Sequence, residues 1–222
     1  MTKTITGTTS LKKYSQSKNT DSKDINFDTE TNFLPKVPQF YLNQIDWQNK
    51  QDPLRLMSFP DIREQEIQSY ELKDPIGDEP NLAVKNLVHR YPDRVLFLLT
   101  NECQINCRFC FRRELNHHSS LPDLDQVCSY LQKQTSVKEV IFSGGDPLTL
   151  SPKYLEKVFI RLLEIPHVTT LRIHTRIPVV NPNHINSRYL DLFKQTANKR
   201  QLVMVFHVNH SQELSPELGT LS

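Results

Sequence analysis

Glycine is scarce in this chain, at 5 of 222 residues, and there are only four cysteines and one tryptophan. No apolar run approaches the roughly 18 residues that a membrane-spanning helix needs, so no membrane partner is expected. Charge of one sign is missing too: 27 basic residues against 25 acidic ones leave a net charge of +2, which argues against a nucleic-acid-binding stripe and against a nucleic-acid partner. Met1 to Ser10 is threonine-rich and has no apolar core of a signal peptide. Four cysteines without a paired framework suit a reducing compartment, and a cytoplasmic location is expected. The length allows one domain with a sizeable core plus appendages.

What the chain does have is concentrated. Cys103, Cys107 and Cys110 follow the apolar run Val95 to Leu99 with the spacing C-x-x-x-C-x-x-C. Soft thiolate ligands narrow the candidates to zinc, copper(I) or an iron-sulfur cluster. A structural zinc wants four ligands, and a zinc loop completed by His117 or His118 satisfies that count. A four-iron cluster held by three cysteines leaves one iron open to an outside ligand. Both remain open on spacing alone. The fourth cysteine, Cys128, shares a helical face with Leu124, Val127 and Leu131 and is expected in the core.

Residues 1 to 32 are polar and are expected to be a disordered tail. From 33 to 94, prolines and aromatics interrupt short helical stretches, which predicts an irregular preface. From 95 to 222, β-rich runs alternate with amphipathic helices, the pattern of parallel strands joined by right-handed crossovers. The strands are expected at Val95 to Thr100, Lys138 to Phe142, Val168 to Ile173 and Leu202 to Val208. The helices are expected from Pro122 to Gln134, from an N-cap at Ser151 onward, and from Ser187 to Ala197. The fold class is α/β, a partial open barrel with about four parallel strands, and no later segment closes it.

Two of the five glycines, Gly144 and Gly145, are adjacent at the end of the second strand, after Ser143 and before Asp146. Bare backbone there lets a ligand approach closely, although a plain turn would use the same pair. Arg90, Tyr91 and Arg94 flank a Pro92-Asp93 turn and offer either an anion clamp or two solvated arginines.

Phe109 just before the third cysteine completes a loop that resembles the radical S-adenosylmethionine (SAM) superfamily. Taken together, Arg90 to Arg94, Cys103 to Arg113, Phe142 to Thr149, Ile165 to Val168, Arg172 to Val180 and His207 to His210 resemble the lysine 2,3-aminomutase family, in that family's order, over roughly residues 40 to 215. The resemblance implies that Cys103, Cys107 and Cys110 ligate a 4Fe-4S cluster. It implies that Ser143, Gly144, Gly145 and Asp146 line the S-adenosylmethionine site, with His174, Arg176 and His207 beside it. Arg112 corresponds to the arginine that holds the substrate carboxylate, and Arg90, Tyr91 and Arg94 to residues that bind the phosphate of pyridoxal phosphate.

The implied reaction moves the amino group of L-lysine from C2 to C3, giving β-lysine, with an amino-acid substrate and an electron donor such as flavodoxin or ferredoxin as partners and a homo-oligomer as a further expectation. Glutamate 2,3-aminomutase, the branch that modifies elongation factor P, and a radical enzyme independent of pyridoxal phosphate are alternatives, as is a non-catalytic fragment that only binds the cluster. No lysine follows the fourth strand, where the family places its pyridoxal-anchoring residue, so the sequence reads as a C-terminally truncated member.

Overall fold

A computed structural model describes residues 3–18, 34–112 and 121–219. Its elements in chain order are β1 (Thr4–Thr6), α1 (Thr8–Gln16), β2 (Lys36–Pro38), α2 (Gln39–Leu42), α3 (Pro53–Ser58), β3 (Leu82–Val84), β4 (Leu87–Tyr91), β5 (Arg94–Thr100), α4 (Leu124–Lys133), β6 (Glu139–Gly144), α5 (Pro152–Leu163), β7 (Thr170–Thr175), α6 (Ile177–Val180), α7 (Ser187–Ala197), β8 (Gln201–Phe206) and α8 (Pro216–Gly219).

The main sheet has six strands in the order β3-β4-β5-β6-β7-β8. Strands β5 to β8 are parallel, as expected of a partial barrel. Period-two alternation puts Val95, Phe97 and Leu99 of β5 on one face, and the same face of β7 carries Leu171 and Ile173. These residues form a core with Val127 and Leu131 of α4, Leu155, Val158, Phe159 and Leu162 of α5, and Tyr189 and Leu192 of α7. Fully burying a side chain of this size contributes about 1.5–3 kcal/mol, so this layer is the main source of stability. Cys128 lies within it, as its helical spacing predicts.

The helices begin where their caps require. Ser151 caps α5 by accepting from the Tyr154 amide, with Pro152 in the first turn, where no intrahelical donor is needed. The start of α4 differs from expectation: Asp123 is the cap, accepting from the amides of Asp125 and Gln126, and Pro122 lies outside the helix. A short acidic side chain next to two free amides outcompetes proline for the boundary.

Two stretches carry more regular structure than their composition predicts. The preface is not irregular throughout, because Leu82–Val84 and Leu87–Tyr91 add two antiparallel strands to the sheet. Asn86 makes the tight turn between them at φ 67°, and its side-chain amide donates to the Leu98 carbonyl. Residues 3–18, expected to be disordered, are ordered. β1 pairs antiparallel with β2, and Leu11 of α1 is fully buried. They belong to a second core built from Ile5, Leu11, Val37, Tyr41, Leu42, Leu54, Phe59, Ile105, Val179 and Val180. Among the described residues no helix is long and apolar enough to cross a membrane.

Candidate active site

The cysteine loop leaves the carboxyl end of β5 and is fixed on several sides. Ile105 is buried in the second core, and the Asn106 amide donates to the Lys36 carbonyl at 2.9 Å. The Asn106 side chain reaches the Leu34 carbonyl at 2.6 Å. The Arg108 amide donates to the Met57 carbonyl, while its buried guanidinium pairs with Glu64. The N-terminal elements therefore position the thiols.

The adjacent glycines perform a second positioning task. A Cβ on Gly145 would sit 2.7 Å from the Asn101 carbonyl carbon and closer still to the Glu102 carbonyl oxygen, all of it backbone. Gly144, at φ 110°, would likewise strike the Thr100 carbonyl. Gly145 and Asp146 donate their amides to Thr100 and Glu102, so the missing side chains let the start of the cysteine loop lie directly on the end of β6. Both glycines also border the cavity, so the bare backbone serves packing and ligand access together.

That cavity encloses about 440 Å³ and is bordered by all three cysteines, by Ser143, Gly144, Gly145 and Asp146, and by Arg112, His174, Arg176 and His207. Apolar cover comes from Phe109, Phe111, Val205, Phe206 and Val208. A larger, more open cleft of about 990 Å³ on the Lys36 and His184 side touches Cys103 but neither Cys107 nor Cys110. The smaller cavity is the one that unites the predicted residues.

Its thiols are poorly solvated. Burial pushes the Cys103 thiol well above the usual range and Cys107 up to about 11, the latter partly countered by Arg176. Cys103 and Cys107 each also feel the charge of Cys110, which places the three in one electrostatic neighbourhood. Thiols in this state hold their protons until a metal displaces them. Among the described residues no three His, Cys, Asp or Glu side chains converge on a single point as one ion requires. A cubane makes no such demand, since each thiolate binds a different iron. His117 and His118, the candidate zinc ligands, lie outside the described residues.

Two cavity residues support an anionic occupant. Arg112 and Arg176 each keep a buried Nε–H donor with no acceptor among the described residues. Such orphans are costly unless a ligand completes them. The cysteines, the bare backbone and these donors together fit a cluster carrying S-adenosylmethionine.

The individual roles are more divided than expected. Asp146 borders the cavity, yet its carboxylate accepts from the Thr175 hydroxyl at 2.8 Å and from the amides of Leu148, Arg176 and Ile177, so it ties the ends of β6 and β7 together. Arg176 is buried and donates to Cys107 Sγ at 3.1 Å, to the Tyr41 hydroxyl at 3.3 Å and to Glu213. Arg112 donates to Asp78 at 3.0 Å and approaches the Ser143 hydroxyl at 3.4 Å. Burial, followed by the nearby Arg172, holds His174 below its ordinary pKa. His207 stands edge-on to Phe109 with ring centroids 5.8 Å apart.

Tyr41, Asp78 and Glu213 had no local sequence signal. Each is an isolated polar residue brought in by tertiary packing. Only the unusual burial of Asp78 and Glu213, at 5% and 0% exposure, exposes their role.

Arg90, Tyr91 and Arg94 are not at this cavity. They sit around the β4–β5 hairpin, with Arg94 at the far end of β5 from the cysteine loop, but the Arg90 guanidinium lies 3.9 Å from Asp78, the carboxylate that also holds Arg112 of the cavity wall. Arg90 donates to the carbonyls of Ile76 and Gly77, Arg94 pairs with Asp93 at 2.7 Å, and Tyr91 is exposed. Arg90 therefore reaches the cavity wall through the carboxylate it shares with Arg112, whereas Arg94 is engaged by Asp93.

The chain matches the radical SAM superfamily model over residues 97–213. It is 36% identical over 186 residues to an L-lysine 2,3-aminomutase of Haemophilus influenzae, covering 82% of this chain and 54% of that protein. It is 34% identical over 211 residues to that of Fusobacterium nucleatum, covering 93% and 49%, and 33% identical over 196 residues to that of Buchnera aphidicola, covering 87% and 57%. The chain thus spans about half the length of the curated relatives it matches. With its cysteine loop, glycine-seated β6 end and matching domain, this chain belongs to the radical SAM superfamily, and within it is similar to the lysine 2,3-aminomutases.

Proposed function

We propose that the chain binds a 4Fe-4S cluster through Cys103, Cys107 and Cys110, and S-adenosylmethionine at the open iron, as the radical-generating part of a lysine 2,3-aminomutase-like isomerase. The observation that carries this is the single cavity uniting the three cysteines with Ser143, Gly144, Gly145, His174 and Arg176. When bound, the reduced cluster supplies one electron that cleaves the sulfonium to methionine and a 5'-deoxyadenosyl radical.

The chain's own residues do the positioning. The free Nε–H of Arg112 offers a carboxylate a charged donor, and Asp78 holds that guanidinium against the cavity wall. Phe109, Val205, Phe206 and Val208 exclude water from the reacting centre. His174, kept neutral by burial, can accept a hydrogen bond without adding charge.

Anaerobic reconstitution tests the proposal. Iron, sulfide, a brown chromophore and 5'-deoxyadenosine from S-adenosylmethionine and dithionite are expected, all lost in Cys107→Ala. A colourless protein with stoichiometric zinc refutes it. β-Lysine formed from L-lysine would assign the substrate, with glutamate and peptidyl lysine as the competing substrates to assay. The engagement of Arg94 by Asp93 and the exposure of Tyr91, neither of which borders the cavity, favour a second reading, a radical reaction without pyridoxal phosphate. Product formation that is indifferent to added pyridoxal phosphate would select it.

A further inference from the structure

Arg176 is the last residue of the β7 strand-end segment before α6, and its guanidinium does not behave as a simple cavity wall. One amino group donates to Cys107 Sγ at 3.1 Å. The other meets Glu213 and the Tyr41 hydroxyl. Glu213 has no exposed surface, and its carboxylate is completed by the Tyr41 hydroxyl at 2.9 Å and the Asn209 amide at 2.7 Å. The rings of Phe109 and Tyr41 flank the guanidinium, with centroids 5.5 and 5.8 Å away. A cation is thus locked in a dry site against one cysteine sulfur, with a single buried carboxylate behind it.

A buried ion pair is a weak source of stability, since desolvation cancels most of its attraction. Its effect on a neighbouring charge is not cancelled. Electrostatic interactions are strong in such a site, and hydrogen bonds to cysteine ligands, net charge and solvent exposure set the potential of an iron-sulfur cluster. Provided the cluster proposed above is bound, we infer that Arg176 is a positioning residue that raises the reduction potential of the cluster through Cys107, and that Glu213, clamped by Tyr41, sets how far. Reduction adds one electron to a centre whose thiolates are already negative. The guanidinium stabilises the reduced form more than the oxidised one, and the carboxylate opposes it.

The two residues should therefore move the potential in opposite directions. The experiment is a mediated redox titration with dithionite on the reconstituted full chain, read by electron paramagnetic resonance, with iron and sulfide assayed on each sample. Arg176→Gln is expected to shift the equilibrium about tenfold toward the oxidised cluster, which is about 59 mV for one electron. Arg176→Lys should retain at least half of the wild-type shift, because it keeps the charge and loses only the fork. Glu213→Gln, which leaves Arg176 and Tyr41 in place, should shift the equilibrium toward the reduced form.

Unchanged potentials, or shifts of the same sign for Arg176→Gln and Glu213→Gln, overturn the inference. If Arg176→Gln does not fold, the sign for Glu213→Gln decides alone: a rise supports the inference and a fall or no change sinks it. Wild-type protein without iron and sulfide would instead defeat the cluster proposal itself, so the two failures are told apart before any variant is made.

Discussion

The two cores of this molecule are built on different principles. The first is a layered sheet whose apolar positions recur with periods of two and 3.6, from Val95 to Leu192. The second draws Leu11, Val37, Tyr41, Leu54, Ile105 and Val179 from segments far apart in sequence, with little regular structure among them. The cysteine loop hangs between the two: Thr100 continues from the first, and Ile105 and Cys107 pack into the second. Stability resides mainly in the sheet core, and the placement of the thiols depends on the scattered one.

If that division holds, substitutions in the two cores should have distinct signatures. Phe142→Ala, at a fully buried ring touching Phe97 and Phe159, is expected to cost about 3–5 kcal/mol in denaturant unfolding, with all probes shifting together. Gly145→Ala should cost about 3 kcal/mol, since its Cβ meets backbone that cannot rotate away, and should also lower iron content after reconstitution. Leu11→Ala is expected to cost about 2–4 kcal/mol and to increase protease cutting near residues 34–60 before global unfolding. A Leu11→Ala protein that unfolds in one step at the same midpoint for every probe would show that the two cores are a single cooperative unit.

Tyr41→Phe removes one hydroxyl from Glu213 and Arg176 and should cost about 1–3 kcal/mol, with little change in secondary structure by circular dichroism. The smallest effect concerns pH. His174 is held below its unfolded value of about 6.5, so the folded state binds this proton less tightly than the unfolded state does. Its contribution is present above the unfolded pKa and is lost as pH falls through the folded pKa. An imidazole titration by nuclear magnetic resonance should place the midpoint below that of free histidine, and a midpoint above it would contradict the burial described here.

This contrast also accounts for what the sequence could show. Strands β5 to β8 and helices α5 and α7 were legible because each carries its own period and cap, with α7 falling at Ser187–Ala197 as expected. The cysteine spacing and the Gly144–Gly145 pair were legible because few other residues could serve there. The ordering of residues 3–18 was not, because a polar segment with few apolar residues is held by the pairing of β1 with β2 and by burial of Leu11 in the second core, which no local pattern announces. The strands Leu82–Val84 and Leu87–Tyr91 were hidden for a similar reason: they are short, and their partner is a later strand. The link from Arg90 to Arg112 through Asp78 was hidden too, because Asp78 lies in a turn-rich stretch with no local mark of burial.

The bond between Tyr41 and Glu213 spans 172 residues. At typical translation rates of about 5–20 residues per second, the first partner waits roughly ten to thirty seconds for the second to be made. Cys107 is made 106 residues before Glu213 and Arg176 37 residues before it, so at the same rates the thiol waits roughly five to twenty seconds and the guanidinium roughly two to seven before the clamp can close. Lower oxygen tension during expression is therefore expected to raise the fraction of copies that accept iron on reconstitution.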